Sequence, residues 1–175
     1  MRHFARASTM SVSSRSPDLP RLGPRGEGWV AIQLALIALV PLSALTGVYW
    51  PERVAGVLTV VGIMLLVVGL AFLVLAFARL TLARAMTVFP RPREHAALAE
   101  RGVYRLVRHP IYGGLIVMAL GASLVESPLA LIPAALLAVV VDLKSRIEEE
   151  WLVERQPGYA AYRERTRRRF VPGVY

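Results

Sequence analysis

The stretch VAGVLTVVGIMLLVVGLAFLVLAFA, residues 54–78, contains no charged residue. A second charge-free run extends over residues 29–51, and each run is long enough for a bilayer-spanning helix, which requires about 20 apolar residues. Two shorter charge-free runs follow at residues 111–125 and 127–141, separated only by Glu126. We interpret these two as a tight helical hairpin whose helices extend into the flanking residues. The sequence therefore predicts an all-α integral membrane protein with about four transmembrane helices, followed by a cytoplasmic C-terminal helical segment.

The distribution of basic residues predicts the orientation in the membrane. Of the 21 Lys and Arg residues, five lie in residues 1–28, seven in residues 79–108, and eight after Asp142. Cytoplasmic loops carry an excess of basic residues, so these three regions are predicted to be cytoplasmic. Arg53 and Glu126 then mark the two short outer turns. An even number of spans is required to place both termini in the cytoplasm, and four spans satisfy that requirement.

The remaining composition excludes several function classes. Basic residues beside membrane spans attract anionic headgroups and account for the net charge of +9, and we expect no nucleic-acid partner because no recognisable binding module is present. The absence of cysteine excludes disulfides, thiolate nucleophiles and cysteine-ligated metal sites, and we predict no metal site. The first apolar run is of span length without a convincing cleavage site, so we expect an uncleaved helix. The preference for Arg over Lys indicates a GC-rich bacterial source, hence a bacterial inner (plasma) membrane.

Three regions follow from these patterns. Residues 1–28 are rich in Ser, Pro, Arg and Gly and are predicted to form a disordered, basic cytoplasmic tail. Residues 29–79 are predicted to form two transmembrane helices. Residues 80–175 are predicted to form a core that consists of a cytoplasmic loop, the helical hairpin 110–142 and a C-terminal segment.

Local signals refine the membrane helices. Pro41 predicts a kink in the first helix, which membrane helices tolerate. Gly62 and Gly69 are seven residues apart and share one face of the second helix, where a neighbouring helix could approach closely. Pro110 suits the first turn of the third helix, where its missing N–H costs nothing. Ser127 is predicted to be the N-cap of the fourth helix.

The segments outside the membrane carry different signals. Pro90 and Pro92 favour an extended path, and residues 95–101 predict a short surface helix. Residues 143–155 resemble an amphipathic helix that leaves the membrane. Residues 159–169 are predicted to form a short basic helix after a Pro-Gly break.

A basic and aromatic cluster lies at the predicted start of the third helix. The free backbone N–H groups and positive dipole of a helix start, beside Arg108, favour a carboxylate or phosphate. Taken singly, Arg108 could be a headgroup anchor, Tyr112 an interfacial aromatic residue and His109 a polar filler. Together with Gly113 and Gly114, which let a partner pack on the helix backbone, they indicate a binding site.

A glutamate triplet follows the predicted hairpin. Adjacent residues on a helix cannot all face one way, so at most two of Glu148, Glu149 and Glu150 can line a common site. Glu150 lies four residues after Arg146 and could pair with it, and a solvated charged face is the simplest interpretation. The predicted hairpin, however, brings this triplet to the side where Arg108 emerges. A carboxylate there could hold an ammonium or sulfonium group while Arg108 holds an anion, so a zwitterionic ligand would fit both.

The last predicted helix permits two interpretations. Tyr159, Tyr162 and Arg163 are predicted to share one side of it. The segment could fold over the site as a lid, with tyrosine hydroxyls donating hydrogen bonds. It could equally be an amphipathic helix resting on anionic lipid.

These residues, taken together, resemble the isoprenylcysteine carboxyl methyltransferase family, which is related to membrane phospholipid methyltransferases. The first matching motifs are Gly102-Val103-Tyr104-Arg105 and Arg108-His109-Pro110-Ile111-Tyr112-Gly113. The later ones are Glu148-Glu149-x-x-Leu152, Pro157-Gly158-Tyr159-x-x-Tyr162 and Arg169-Phe170-Val171-Pro172. The resemblance covers residues 90–172, about half of the chain, and the first two helices share only their hydrophobicity.

The resemblance implies an integral-membrane methyltransferase that uses S-adenosylmethionine. It implies that the cofactor lies between the start of the third helix and the C-terminal segment. The cofactor-binding residues predicted on this basis are Tyr104, Arg108, His109, Pro110, Tyr112, Glu148, Glu149 and Tyr162. The predicted catalytic residues are His109, Glu149 and Arg169.

The sequence does not identify the methyl acceptor, which could be a carboxylate or an amine. A lipophilic carboxylate needs no general base, which suits a site with few obvious bases, and we prefer this acceptor. A phosphatidylethanolamine-type amine would require a base such as His109 or a glutamate. The third alternative is a non-catalytic membrane accessory protein of the same fold. Predicted partners are a lipid or other lipophilic substrate and the surrounding membrane lipids.

Overall fold

The computed structural model describes residues 19–20, 22–83 and 98–173. The regular secondary structure among these residues is helical, with no β-strand. The five α-helices are α1 Glu27–Leu42, α2 Glu52–Leu82, α3 Pro110–Glu126, α4 Leu131–Arg155 and α5 Tyr159–Arg165. Three short 3-10 helices lie at Ser43–Thr46, Gly102–Arg105 and Pro128–Ala130.

Three helical segments are long and apolar enough to cross a membrane, namely Glu27–Thr46, Glu52–Leu82 and Pro128–Arg155. The fourth apolar helix, α3, has 17 residues. At 1.5 Å per residue, α3 is about 25 Å long and α2 about 46 Å, compared with a hydrocarbon core of about 30 Å. Large apolar side chains of α2 such as Met64 and Val67 are more than 60 % exposed, as expected of a surface that contacts lipid.

The closest helix packing in the described structure is between α2 and α3, and glycine allows it. A Cβ atom on Gly62 would lie 2.6 Å from the carbonyl oxygen of Gly121. A Cβ atom on Gly69 would lie 2.7 Å from the carbonyl oxygen of Gly114. Small residues let membrane helices approach this closely, so the packing role predicted for Gly62 and Gly69 is confirmed.

The four long helices alternate in direction. At one end of the bundle, the indole N–H of Trp50 donates to the carbonyl oxygen of Ser123 (3.0 Å), and the Ser127 hydroxyl donates to that of Val48 (2.7 Å). At the other end, Lys144 of α4 donates to Gln33 of α1 (2.7 Å). We call this second end, where α1 and α3 begin and α2 and α4 end, the site end.

The third and fourth helices are joined by a short connection, but each packs mainly on a different helix. The Ser127 hydroxyl accepts from the N–H of Leu129 (3.2 Å), which caps the 3-10 turn before α4. α3 packs chiefly on α2, because paired glycines bring those backbones together, whereas α4 packs chiefly on α1. The core between α1, α3 and α4 includes Leu36, Val40 and Leu137.

Several predicted boundaries are wrong. The predicted hairpin helix that ends at 142 and the predicted amphipathic helix 143–155 are one helix. α4 is continuous from Leu131 to Arg155, because no Pro or Gly follows Pro133 in this stretch. The last helix ends at Arg165 instead of 169, since the following residues bond to the start of α3. Pro41 lies within the last turn of α1, and the chain tightens into a 3-10 turn from Ser43.

The predicted tail and loop also need correction. Disorder through residue 28 is wrong for the described part of that range, because α1 begins at Glu27 and the indole N–H of Trp29 donates to the carbonyl oxygen of Pro20 (2.9 Å). Residues 98–101 are not helical, which contradicts the end of the predicted surface helix 95–101. The beginning of that helix and the Pro90–Pro92 path lie outside the described residues, as do residues 1–18.

Candidate functional site

The start of α3 is bonded to the C-terminal segment. Pro110 occupies the first helical position, and Arg108 and His109 before it are not helical, so their N–H groups can bond outside the helix. The N–H of Arg108 donates to the carbonyl oxygen of Arg168 (3.0 Å), and that of His109 donates to Arg169 (2.8 Å). Gly113 faces the backbone of Phe170, with no room for a side chain between them. The segment 166–170 therefore lies directly across the first turn of α3.

Glu149 is the centre of a buried charge cluster. Its Oε1 accepts from Nε of Arg108 (2.8 Å), lies 3.0 Å from Nε2 of His109, and lies 3.6 Å from Nε of Arg169. The Glu149 and Arg108 side chains are 6 % and 8 % exposed. Buried charges are tolerated when they are paired and hydrogen-bonded, and these partners hold Glu149 ionised. We define the buried cluster as Arg108, His109, Glu149 and Arg169.

A second nitrogen of the Arg108 guanidinium donates to main chain. Its Nη1 donates to the carbonyl oxygens of Thr166 and Arg167, each at 2.7 Å. Arg108 and Glu149, one from each of the two predicted poles, pair with each other. The two-pole hypothesis itself stays a prediction. Arg108 joins α3, α4 and the C-terminal segment.

Glu148 lies beside the buried cluster and is more accessible. Its Oε2 accepts from the hydroxyl of Tyr112 (2.8 Å) and lies 3.9 Å from Nδ1 of His109. The rings of His109 and Tyr112 stack with centroids 5.5 Å apart. The Glu148 side chain is 22 % exposed. Glu150 is exposed, so Glu148 and Glu149 are the two glutamates of the triplet that face the cluster.

Three buried tyrosines complete this end of the bundle. The hydroxyl of Tyr162 donates to the carbonyl oxygen of Tyr104 (2.6 Å). The hydroxyl of Tyr159 has no hydrogen-bond partner among the described residues, although the side chain is buried. Burial, with the carboxylates of Glu149 and Glu148, raises the pKa of Tyr159 well above the usual tyrosine range, and burial also raises the pKa of Tyr104 and Tyr162. All three phenols therefore remain protonated and able to donate.

The prediction that Arg163 shares a side with the two tyrosines of α5 is wrong. Tyr159 and Tyr162 are buried, with ring centroids 5.7 Å apart, whereas Arg163 is exposed. The helix is anchored by these two rings and presents its arginines outward.

The structure places all of the predicted site residues at the site end. They are Tyr104, Arg108, His109, Pro110, Tyr112, Glu148, Glu149, Tyr162 and Arg169. Sequence reasoning overlooked Asp142, whose Oδ1 accepts from Nη1 of Arg169 (2.6 Å) and whose Oδ2 accepts from Nε of Arg146 (2.9 Å). Its position as the first charge after an apolar run, four residues before Arg146, was the available signal.

The family model for phospholipid methyltransferases matches residues 57–157. The chain belongs to the phospholipid methyltransferase family. This is the family of the isoprenylcysteine carboxyl methyltransferase-like membrane methyltransferases, so the predicted resemblance is confirmed. No curated protein matches the chain.

Membership of the phospholipid methyltransferase family identifies a membrane methyltransferase, and methyltransferases of this kind normally use S-adenosylmethionine. The matched range contains most of α2 and all of α3 and α4, and therefore the contacts of Glu149 with Arg108 and His109. It ends at Pro157, before Tyr159 and Arg169. Helix α1 also lies outside the match.

Proposed function

We propose that the protein transfers a methyl group from S-adenosylmethionine to a lipophilic carboxylate at the membrane. The observation that carries this proposal is the buried cluster of Arg108, His109, Glu149 and Arg169. Its hydrogen bonds join the start of α3, the end of α4 and the C-terminal segment, in a chain whose family transfers methyl groups.

The residues around the cluster fit S-adenosylmethionine, which carries a sulfonium, an ammonium and a carboxylate. Glu148 is partly exposed and is the carboxylate we assign to the cationic end of the cofactor. The hydroxyl of Tyr159 is a buried donor without an acceptor among the described residues, and such groups are rare in proteins. A bound cofactor that accepts this hydrogen bond would satisfy it. When bound, the cofactor supplies an electrophilic methyl group.

The other predicted residues have supporting roles in this proposal. Tyr104, Pro110 and Tyr112 line the cofactor, and Tyr162 holds the loop of Tyr104 through its hydroxyl. His109 and Glu149 hold the start of α3 against α4. Arg169 closes the C-terminal segment over the site through Asp142. Methyl transfer is an in-line displacement, so orientation and exclusion of water supply most of the catalysis.

The hydrogen bonding of the site favours a carboxylate acceptor. An ionised carboxylate attacks a methyl group without losing a proton. An amine must lose one, and the candidate bases are already engaged: Nε2 of His109 with Glu149, and Glu149 with Arg108. The second candidate is a phosphatidylethanolamine-type amine, which the description of the matched family favours. In that reaction Glu148, the more exposed of the two glutamates, would serve as the base.

We also propose four membrane spans with both termini in the cytoplasm of a bacterium. The alternating directions of α1 to α4 support this arrangement, because they bring the beginning of α1 and the ends of α2 and α4 to the site end. The sequence is rich in basic residues before α1, after α2 and after α4. At about 25 Å, α3 is shorter than the hydrocarbon core of about 30 Å. We propose that its first turn, which follows His109, lies at the inner membrane–water boundary, where a soluble cofactor and a lipid can meet.

The test is methyl transfer by the full chain in detergent micelles. The protein is incubated with S-adenosylmethionine carrying an isotope-labelled methyl group and with a bacterial lipid extract, and the labelled lipids are identified by mass spectrometry. A base-labile methyl ester is the expected product. An acid- and base-stable N-methylated headgroup would replace our proposal with the amine reaction. Cofactor binding without any transfer, or no binding, would indicate a non-catalytic member of the family.

Replacing Tyr159 by phenylalanine is expected to weaken S-adenosylmethionine binding without lowering stability. The variant loses one hydrogen bond to the cofactor, and a net value of about 0.5–1.5 kcal/mol corresponds to a rise in Kd of roughly twofold to tenfold. The melting temperature is expected to stay the same or rise, since the hydroxyl has no partner in the described protein. Isothermal titration and thermal unfolding measure the two quantities.

The matched control for Tyr159→Phe is Tyr49→Phe. Tyr49 is 66 % exposed and lies at the opposite end of the bundle, next to Trp50. This variant should bind the cofactor as the native chain does. A Tyr159→Phe protein with native Kd would show that the hydroxyl does not contact the cofactor.

A further inference from the structure

Lys144 is a buried ammonium group that the proposed chemistry leaves without a role. Its side chain points into the bundle from α4, and the residue is only 2 % exposed. Its Nζ donates to Oε1 of Gln33 on α1 (2.7 Å), across 111 residues of sequence. Burying a cation beside a neutral amide costs free energy that an apolar side chain would not incur. The position therefore requires an explanation beyond filling space.

The same ammonium contacts the aromatic ring that holds Glu148. Nζ of Lys144 lies 5.1 Å from the centroid of the Tyr112 ring, within the range of a cation–π interaction. The hydroxyl of that ring donates to Oε2 of Glu148 (2.8 Å), which is one helical turn after Lys144. Lys144, Tyr112 and Glu148 are thus connected by two contacts. The ammonium lies over the aromatic ring, and the hydroxyl of that ring donates to the carboxylate.

A cation over the face of a phenol draws electron density from the ring and makes its hydroxyl a stronger hydrogen-bond donor. The bond from Tyr112 to Glu148 is strengthened in this way, and the ring is also fixed by stacking on His109 (5.5 Å). The orientation of Glu148 therefore depends on a charge that is itself placed by Gln33. Gln33 lies in α1, outside the range that matches the family, 57–157.

We propose that Lys144, held by Gln33, is a positioning residue that orients Tyr112 and Glu148 for the cationic end of S-adenosylmethionine. This inference rests on the proposed function. It gives α1 a part in cofactor binding, although α1 itself contributes no residue to the buried cluster. Lys144 does not contact the cofactor in this arrangement and acts only through Tyr112 and Glu148.

A double-mutant cycle on the full chain in detergent tests the proposal. The Kd for S-adenosylmethionine is measured for the native chain, Lys144→Met, Glu148→Gln and the double variant. Lys144→Met is expected to raise Kd about fivefold to tenfold in the native background and much less in the Glu148→Gln background, because residues that act through one another are not additive. Arg155→Met, an exposed charge removal on the same helix, is the control and should bind normally.

Variants of Gln33 keep the test decisive if Lys144→Met does not fold. Gln33→Leu removes the acceptor of Lys144 and should weaken cofactor binding, whereas Gln33→Glu still accepts from Lys144 and should bind as the native chain does. A native Kd in Lys144→Met or Gln33→Leu overturns the inference and leaves the proposed function intact. An equal loss in the native and Glu148→Gln backgrounds also overturns it, since Lys144 would then act through the bundle as a whole. A native chain that binds no S-adenosylmethionine refutes the proposed function and this inference with it.

Discussion

Replacing Glu149 by alanine is expected to abolish S-adenosylmethionine binding and to destabilise the protein strongly. The change leaves the guanidinium of Arg108 buried without its carboxylate, and breaking a buried ion pair on one side costs about 3–5 kcal/mol. Nε2 of His109 loses its partner at the same time. For a chain of this size the loss corresponds to a fall in melting temperature on the order of 10 °C. Thermal unfolding in detergent and titration with the cofactor measure the two effects.

The neighbouring residue provides a matched control. Glu150 carries the same charge on the same turn of α4 but is exposed, so Glu150→Ala should melt and bind close to the native chain. Both variants remove one negative charge from the triplet, so a difference between them reports the effect of the buried position of Glu149. If Glu149→Ala melted and bound cofactor as Glu150→Ala does, the buried cluster would have no part in the site.

Replacing Gly113 by alanine is expected to detach the C-terminal segment from α3 and to reduce methyl transfer at least about tenfold. The new Cβ atom would overlap the carbonyl oxygen of Phe170 and lie 2.9 Å from its carbonyl carbon. That backbone cannot retreat without breaking the bonds from Arg108 to Arg168 and from His109 to Arg169. The gain in helix propensity, about 1 kcal/mol, is smaller than the combined cost of the overlap and the lost bonds.

Gly56→Ala is the corresponding control. The described structure has no atom within 4 Å of a Cβ at Gly56 in α2, so this variant should be neutral or slightly more stable. Limited proteolysis reports detachment, since release of residues 166–170 frees the backbone at Arg168 and Arg169 from its hydrogen bonds to α3, and trypsin cleaves a released segment more readily. A Gly113→Ala protein with native protease resistance and native transfer rate would show that close packing of Phe170 on α3 is dispensable.

The predicted apolar helices agree with the structure because length and hydrophobicity are local properties of the chain. The charge-free runs at 29–51 and 54–78 correspond to α1 and α2, and Pro110 begins α3 as its fixed φ angle requires. Boundaries that depend on tertiary contacts were predicted less well. α5 ends at Arg165, since the next residues bond to Arg108, a partner that sequence periodicity does not reveal.

The residue types of the candidate site were also predictable, but their pairing was not. The Arg108–Tyr112 motif and the glutamate triplet are visible in the sequence, and with them the family. Glu149 pairs with Arg108, 41 residues away in sequence, while Glu148 stays accessible. The rotation of α4 about its axis relative to α3 decides which of the two glutamates is paired. That Lys144 meets Gln33 depends on how α1 packs on α4. A charged side chain inside a membrane bundle needs a hydrogen-bonding partner on a neighbouring helix. Only the packed structure shows which helix supplies that partner.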